Sequence, residues 1–117
     1  MLGGGMRQVG ILAAAGLYAL DVNLPKLAAD HQRARDLAEE LAAISGIELQ
    51  LDRVKTNVVA FRVPSFTDAE FVGACHAKGL RIAPIKPGTM RAVFYHQVSD
   101  ADRLRAAEII REVVEER

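Results

Sequence analysis

The chain has little cysteine, no excess charge of either sign and no apolar run as long as a membrane span. Its single cysteine, Cys75, cannot form an internal disulfide and leaves no second thiol for a zinc site. Fifteen basic residues balance fifteen acidic ones, so there is no global positive field for nucleic acid or an anionic membrane. We therefore expect a cytoplasmic protein that binds neither nucleic acid nor a membrane.

The three histidines, His31, His76 and His96, do not have the spacing of metal ligands, and the sequence predicts no metal site. His76 follows Cys75 directly, but adjacent residues of a helix do not face each other. We interpret Cys75 as a small buried apolar residue rather than as half of a thiolate–imidazole pair.

The longest uncharged run extends from Gln8 to Leu20 between Arg7 and Asp21. It is shorter than the roughly 20 residues that cross a bilayer. Its apolar and small residues predict a helix that is apolar around most of its circumference, and such a helix is buried on several sides. A domain of 117 residues offers only one face to cover it, so we expect self-association through Val9 to Leu20.

Three glycines, Gly3 to Gly5, precede this helix, and Arg7 stands where the helix would begin. Backbone N–H groups and a guanidinium at that position are suited to one anion. The alternative is a flexible leader followed by a solvated arginine, because glycine loses more backbone freedom on ordering than any other residue. The residues alone leave both interpretations open.

The remaining pattern of periodicity, caps and turn residues predicts a chain that alternates helices and strands. The expected elements are a helix from Pro25 to Gly46, a strand Thr56–Val63, a helix between the capping pair Thr67/Glu70 and Gly79, a strand Leu80–Ile85, a turn at Lys86–Thr89, a strand from Met90 towards Val98, and a helix capped by Ser99. Inward positions are Leu27, His31, Ala34, Leu37, Ala38, Leu41 and Ile44 in one helix, Phe71, Val72 and Cys75 in the next, and Leu104, Ala107, Ile110 and Val114 in the last.

This order, α-α-β-α-β-β-α, predicts an α+β fold with a small, mainly antiparallel three-stranded sheet covered by helices. We expect two regions. Residues 1–23 form the glycine-rich loop and an apolar connecting helix, and residues 24–117 form a small α+β domain. The remaining face or edge of the sheet is not covered by these helices, so we again expect contact with other protein there.

The glycine-rich motif, Leu2-Gly-Gly-Gly-Met-Arg-Gln8 followed by Gly10 to Leu20, closely resembles a signature of the low-specificity threonine aldolases. These are pyridoxal-phosphate enzymes of the aspartate-aminotransferase fold type. Weaker matches follow in order along almost the whole chain, at Leu27–His31, Ala34–Leu41, Thr56–Val59, Met90–Val93 and Val98–Ser99.

The resemblance implies that the chain is only the C-terminal part of such an enzyme, with the large domain and its Schiff-base lysine lying upstream. None of Lys26, Lys55, Lys78 and Lys86 matches that lysine, so the resemblance implies no catalytic residue in this chain and an inactive isolated chain with no bound cofactor. The expected partners are the missing large domain and a further copy of the enzyme.

Two site residues carry over from the family. Arg7 matches an arginine that reaches the phosphate of pyridoxal phosphate, and Arg91 matches the arginine that binds the substrate carboxylate. A guanidinium fork suits a planar carboxylate. The chain has Phe94-Tyr95 where the family usually has threonine-histidine, which leaves the choice of substrate open.

Two alternatives remain at this stage. One is a stand-alone α+β binding or dimerisation module, favoured by the initial methionine and the complete set of caps. The other is a domain of a different enzyme of the same fold type, such as a β-eliminating lyase or an aminotransferase.

Overall fold

The computed structural model describes residues 3–117 and has an α+β architecture, in which a three-stranded antiparallel sheet carries helices on one face. The main elements are α1 (Val9–Tyr18), α2 (Leu27–Ala42), β1 (Val58–Phe61), α3 (Asp68–Ala77), β2 (Ala83–Lys86), β3 (Thr89–Val93) and α4 (Asp100–Glu115). The predicted order of helices and strands is confirmed.

The first two helices are joined by helical turns and not by a loop. After α1 the chain continues through a π turn, Ala19–Asn23, and a 3-10 turn, Leu24–Lys26, directly into α2. Pro25 lies within this continuous helical stretch because the local change in helix type accommodates its missing N–H group and its ring. The proposed boundary between residues 23 and 24 therefore falls inside a helical segment and stays a prediction.

The continuous stretch Val9–Ala42 contains an 18-residue window with a mean hydropathy of 1.2. In length and composition this would suffice to cross a membrane, although a helix covered by protein passes the same test. The helix is therefore longer than the uncharged run from Gln8 to Leu20 that was compared with a membrane span. The absence of a membrane partner stays a prediction.

The sheet has the strand order β1-β3-β2, and both pairings are antiparallel. The predicted hairpin between β2 and β3 is confirmed. Strand β2 begins at Ala83, three residues later than expected, and as an edge strand it tolerates Pro84. Strand β3 ends at Val93 instead of continuing towards Val98, because the chain turns away from the sheet after Phe94.

The core lies between the inner face of the sheet and helices α2, α3 and α4. Its largest fully buried side chains are Phe61, Phe71, Leu37, Leu41, Ile110, Val59 and Cys75. Phe71 packs edge-on against Phe61 and also against Phe66, with ring centroids 6.1 and 5.6 Å apart. The prediction that Cys75 is a buried apolar residue is confirmed.

Three residues expected to point inward, Leu27, His31 and Leu104, are exposed. In the first turn of α2, Asp30 is buried instead and is paired with Arg33 at 3.1 Å. In α4 the buried face is centred on residues Ala107, Ile109, Ile110 and Val113, while Val114 is half-buried. Helix α2 also ends at Ala42, before Gly46.

Both predicted helix N-caps are confirmed as reciprocal capping boxes. The Thr67 hydroxyl accepts from the backbone N–H of Glu70, whose carboxylate accepts from the Thr67 N–H at 2.8 Å. Ser99 and Asp102 repeat the arrangement at α4, where the carboxylate accepts from the Ser99 N–H at 2.8 Å. The hydrogen bonds from Thr67 lower the pKa of Glu70, and those from Ser99 lower the pKa of Asp102.

Candidate functional site

Arg91 lies in the middle of the sheet on the face that the helices leave open. It is on the central strand β3, opposite Ala60 of β1 and Ala83 of β2. Its neighbours in β3 confirm the orientation, since Met90 is buried and Arg91 is exposed. Because both cross-strand neighbours are alanines, the guanidinium is not crowded, and it forms no ion pair with any residue from 3 to 117.

A cleft opens beside Arg91 where the two strands of the hairpin separate. The β2–β3 pairing ends at Ala83 and Arg91, and beyond this pair the chain segments 80–82 and 92–95 enclose a cavity of about 480 Å³. Its apolar lining includes Leu37, Val98, Ala106 and Ile110. Arg91 is among the residues that line this cleft, and its exposed guanidinium can bind a carboxylate through two parallel N–H donors.

Arg81 lines the same cleft and was not identified from the sequence. It is exposed and, like Arg91, has no ion-pair partner within the part of the chain that the structure describes. The only available signal was its position two residues before the strand residue Ala83. This position indicates that Arg81 lies near Arg91 only when the register between β2 and β3 is known.

The other charged groups of the cleft are already engaged. Asp102 accepts hydrogen bonds from Ser99, which keep it ionised, and Arg103 is paired with Glu40 of α2. Tyr95 lines the cleft and is exposed, with its ring edge-on to His96 at 5.9 Å. Arg91 and Arg81 are thus the cationic groups at the cleft that remain free to bind an anion.

The structure places Arg7 in a turn before α1, not at the first helical position. Helix α1 begins at Val9, after Gln8, which has a left-handed φ of 51°. Gly3 to Gly5 are exposed, and a Cβ added at any of them would meet nothing within 4 Å. Arg7 does not line the cleft at Arg91, so the structure does not bring the two predicted site residues together.

The apolar helix α1 buries none of its residues. Ile11 is 75% exposed and Leu17 is 61% exposed, and Val9, Leu12, Tyr18 and Leu20 are similarly open. On the open face of the sheet a second cavity, of about 860 Å³, is bordered by Val58, Ala60, Ile85 and Thr89. Apolar exposure on this scale is unusual for a domain that acts alone.

Two further reactive groups, Lys78 and Cys75, do not line the cleft. Lys78 lies 3.0 Å from a Glu112 carboxylate oxygen and 2.8 Å from one of Glu116, and hydrogen bonds to Glu116 and Glu112 raise the pKa of Lys78. It therefore stays protonated. Burial raises the pKa of Cys75 to about 11, so its thiol is not ionised at neutral pH. Residues 3–117 contain no group of three histidine, cysteine or acidic side chains that could hold a metal ion.

The comparisons with known proteins agree with the motifs. A family profile described as beta-eliminating lyase matches residues 1–64. The "probable low-specificity L-threonine aldolase 2" of Arabidopsis thaliana is 39% identical over 104 residues, which are 86% of this chain and 29% of the relative. The "low-specificity L-threonine aldolase 1" of the same organism is 36% identical over the same length.

The "low specificity L-threonine aldolase" of Escherichia coli strain K12 is 48% identical over 63 residues, which are 54% of this chain and 18% of that protein. The chain thus spans less than a third of the length of these relatives. The family profile nevertheless covers more than half of the chain, and all three relatives are named as low-specificity L-threonine aldolases. The chain belongs to the beta-eliminating lyase family, and its resemblance to the low-specificity L-threonine aldolases is confirmed.

Proposed function

We propose that the chain is the C-terminal part of a pyridoxal-phosphate-dependent lyase that cleaves a β-hydroxy-α-amino acid into glycine and an aldehyde. Residues 24–117 would correspond to the small domain of a fold type I enzyme. The observation that carries the proposal is the Arg91 guanidinium on the open sheet face, between two alanines and beside an apolar cleft, where it has no ion-pair partner among residues 3–117. Three relatives named as threonine aldolases support the reaction class.

In aldol cleavage the β-hydroxyl group loses its proton and becomes the aldehyde as the Cα–Cβ bond breaks, and Cα then takes up a proton to give glycine. Pyridoxal phosphate supplies an electron-accepting ring that stabilises the negative charge left on Cα. The contribution of this chain is orientation. Two parallel N–H donors of Arg91 hold the substrate carboxylate. Because this group is attached to Cα, holding it fixes the orientation of the Cα–Cβ bond that breaks.

The residues near Arg7 fit the phosphate end of the cofactor. The Arg7 guanidinium is exposed and forms no ion pair among the described residues, and the neighbouring glycines leave the backbone open to a close approach. The chain offers no matching group for the ring, since its lysines do not match the family's and Lys78 is held by two glutamates. We therefore propose that the isolated chain neither retains the cofactor nor catalyses the reaction.

The exposed apolar helix supports two proposals about partners. One is that a large domain of the same enzyme covers part of α1 and the open sheet face. The other is that Val9 to Leu20 contributes to association between copies of the enzyme. A cytoplasmic location, without binding of nucleic acid or membrane, stays a prediction from composition and charge.

The proposed reaction is tested by analysing the products that the full-length protein, loaded with pyridoxal phosphate, forms from L-threonine and L-allo-threonine. We expect equimolar glycine and acetaldehyde, and we expect the 117-residue chain with added cofactor to form neither. Release of glycine by the isolated chain would contradict the assignment of the essential lysine to another part of the protein.

The name of the matching family favours β-elimination as the second candidate. L-Serine separates the two reactions, because aldol cleavage gives glycine and formaldehyde whereas elimination gives pyruvate and ammonia. Pyruvate as the main product, with no glycine from threonine, would replace the aldolase proposal by the elimination reaction.

A further inference from the structure

Asn57 joins the start of β1 to the end of β3 through two hydrogen bonds. Its backbone carbonyl accepts from the Phe94 N–H at 2.8 Å, and its side-chain amide donates to the Phe94 carbonyl at 2.6 Å. The register that pairs Val58 with Val93 places Asn57 opposite Phe94. The side-chain amide therefore binds the carbonyl at the point where the ladder between the two strands ends.

The position of Phe94 determines which face of β3 Arg91 occupies. Side chains alternate along a strand, and Met90 and Phe94 are buried on the helix side while Arg91 is exposed on the open side. A slip of one residue between β1 and β3 would turn Arg91 towards the core. The amide of Asn57 fixes the last position of this register, three residues from the guanidinium-bearing residue.

The same hydrogen bond holds the point at which the chain leaves the sheet. After Phe94 the chain turns, with the Val98 N–H donating to the Tyr95 carbonyl at 2.8 Å, and Ser99 then caps α4. Tyr95 and Val98 line the cleft beside Arg91. The part of the cleft lining that Tyr95 and Val98 form thus follows directly after the carbonyl that the Asn57 amide binds.

We infer that Asn57 is a positioning residue for substrate binding, which acts on Arg91 and on the Tyr95 side of the cleft through the backbone of Phe94. The inference rests on the proposed role of Arg91. Asn57 is half-buried and does not line the cleft, so it has no direct contact with a ligand there. Its effect is on KM for the substrate carboxylate.

The test is a double-mutant cycle in the full-length protein with Asn57→Asp and Arg91→Ala. The aspartate keeps the shape of the side chain but, when ionised, has no donor for the Phe94 carbonyl. We expect Asn57→Asp to raise KM for L-threonine about tenfold, the upper range for one lost hydrogen bond, with kcat changed less than twofold. With Arg91 already removed, the same substitution raises KM less than twofold.

The structural control is Thr67→Ala, which removes the N-cap of α3 at a residue that does not line the cleft. Its effect on KM is expected to be less than twofold in both backgrounds. Hydrogen exchange adds a readout independent of catalysis. The Phe94 amide proton is expected to exchange at least tenfold faster in Asn57→Asp, while the amides of Val59 and Ala92 keep their protection. Thermal unfolding confirms that each variant is folded.

Equal KM increases from Asn57→Asp with and without Arg91 would overturn the inference, and so would an unchanged KM in a folded Asn57→Asp variant with faster exchange at Phe94. If Arg91→Ala alone leaves KM unchanged, the proposed role of Arg91 fails instead. Should Asn57→Asp not fold, Asn57→Ser replaces it in the same cycle, because a shorter side chain loses the contact without adding charge.

Discussion

Helix α1 and the sheet-bearing part of the chain bury their apolar residues to opposite extents. No residue of α1 is buried, and Ile11 is 75% exposed, whereas Phe61 of β1 retains 1% of its surface. The molecule extends 56 Å along its longest axis and 28 Å across it, consistent with α1 projecting beyond the small domain. The sheet and its three helices have their own core. Helix α1 is as apolar as a helix buried in a core, but it packs against none.

This difference separates the part of the chain that has its own core from the helix that we propose is covered by other protein. Burying a leucine or isoleucine side chain contributes about 1.5–3 kcal/mol, and α1 forgoes this gain at several positions. A helix that is apolar all round is stable in place only when other protein covers it. The chain spans less than a third of the length of each relative, and we propose that other parts of a longer protein cover this helix.

The largest expected effect on stability comes from Phe61, whose ring packs against Phe71 in the core. Phe61→Ala in the 117-residue chain should lower the free energy of unfolding by about 3–5 kcal/mol, because it leaves a cavity. Urea denaturation measures the change. The matched control, Leu12→Ala in α1, should alter the same quantity by less than about 0.5 kcal/mol. A similar decrease in the free energy of unfolding for both substitutions would contradict the difference in burial between the two regions.

A smaller effect is expected at the N-terminus of α4. Ser99→Ala should lower the free energy of unfolding by about 1 kcal/mol at neutral pH, because the helix loses its cap. The hydrogen bonds from Ser99 lower the pKa of Asp102, so this carboxylate contributes stability above its ordinary pKa of about 4 that is lost as the pH falls through the lowered value.

The difference between wild type and Ser99→Ala should therefore shrink as the pH falls below about 4, as measured by urea denaturation at a series of pH values. Ala101→Ser, an exposed change within the first turn of α4, is the control and should show no such dependence. A difference that stays constant down to pH 2 would mean that the Ser99–Asp102 hydrogen bonds do not depend on the charge of the carboxylate.

The smallest effect on stability, and the largest on association, is expected on α1. The double substitution Ile11→Lys and Leu17→Lys should leave the free energy of unfolding within about 0.5 kcal/mol of wild type, because both side chains are exposed. Sedimentation velocity should show the wild-type chain self-associating and the variant as a monomer. A monomeric wild-type chain at high concentration would remove the support for an interface on this helix.

The local signals in the sequence predicted the order of the elements and the two capping boxes correctly. Thr67 with Glu70 and Ser99 each mark a helix start because a capping side chain satisfies backbone groups only a few residues away. Gly79 ends α3 with a left-handed φ of 93°, a conformation that glycine adopts without strain. Helix caps and helix-ending glycines depend only on residues close to them in sequence, so the local sequence pattern is sufficient to predict them.

The features that the sequence did not predict depend on contacts between distant segments. Asn57 and Phe94 are 37 residues apart, and nothing in either segment indicates that an amide would end the β1–β3 ladder. Arg81 joins Arg91 only through the register of β2 against β3. The helical stretch continues through Pro25 because a π turn and a 3-10 turn accommodate its ring and its missing N–H group.

The central claim is that Arg91 binds the substrate carboxylate, and KM of the Arg91→Ala variant of the full-length protein tests it most directly. The control is Arg111→Ala, which removes an exposed arginine on α4 that does not line the cleft. We predict that Arg91→Ala raises KM for L-threonine roughly 100-fold, the loss expected for charge-assisted hydrogen bonds, while Arg111→Ala leaves it unchanged. An unchanged KM in a folded, cofactor-loaded Arg91→Ala variant would contradict the claim.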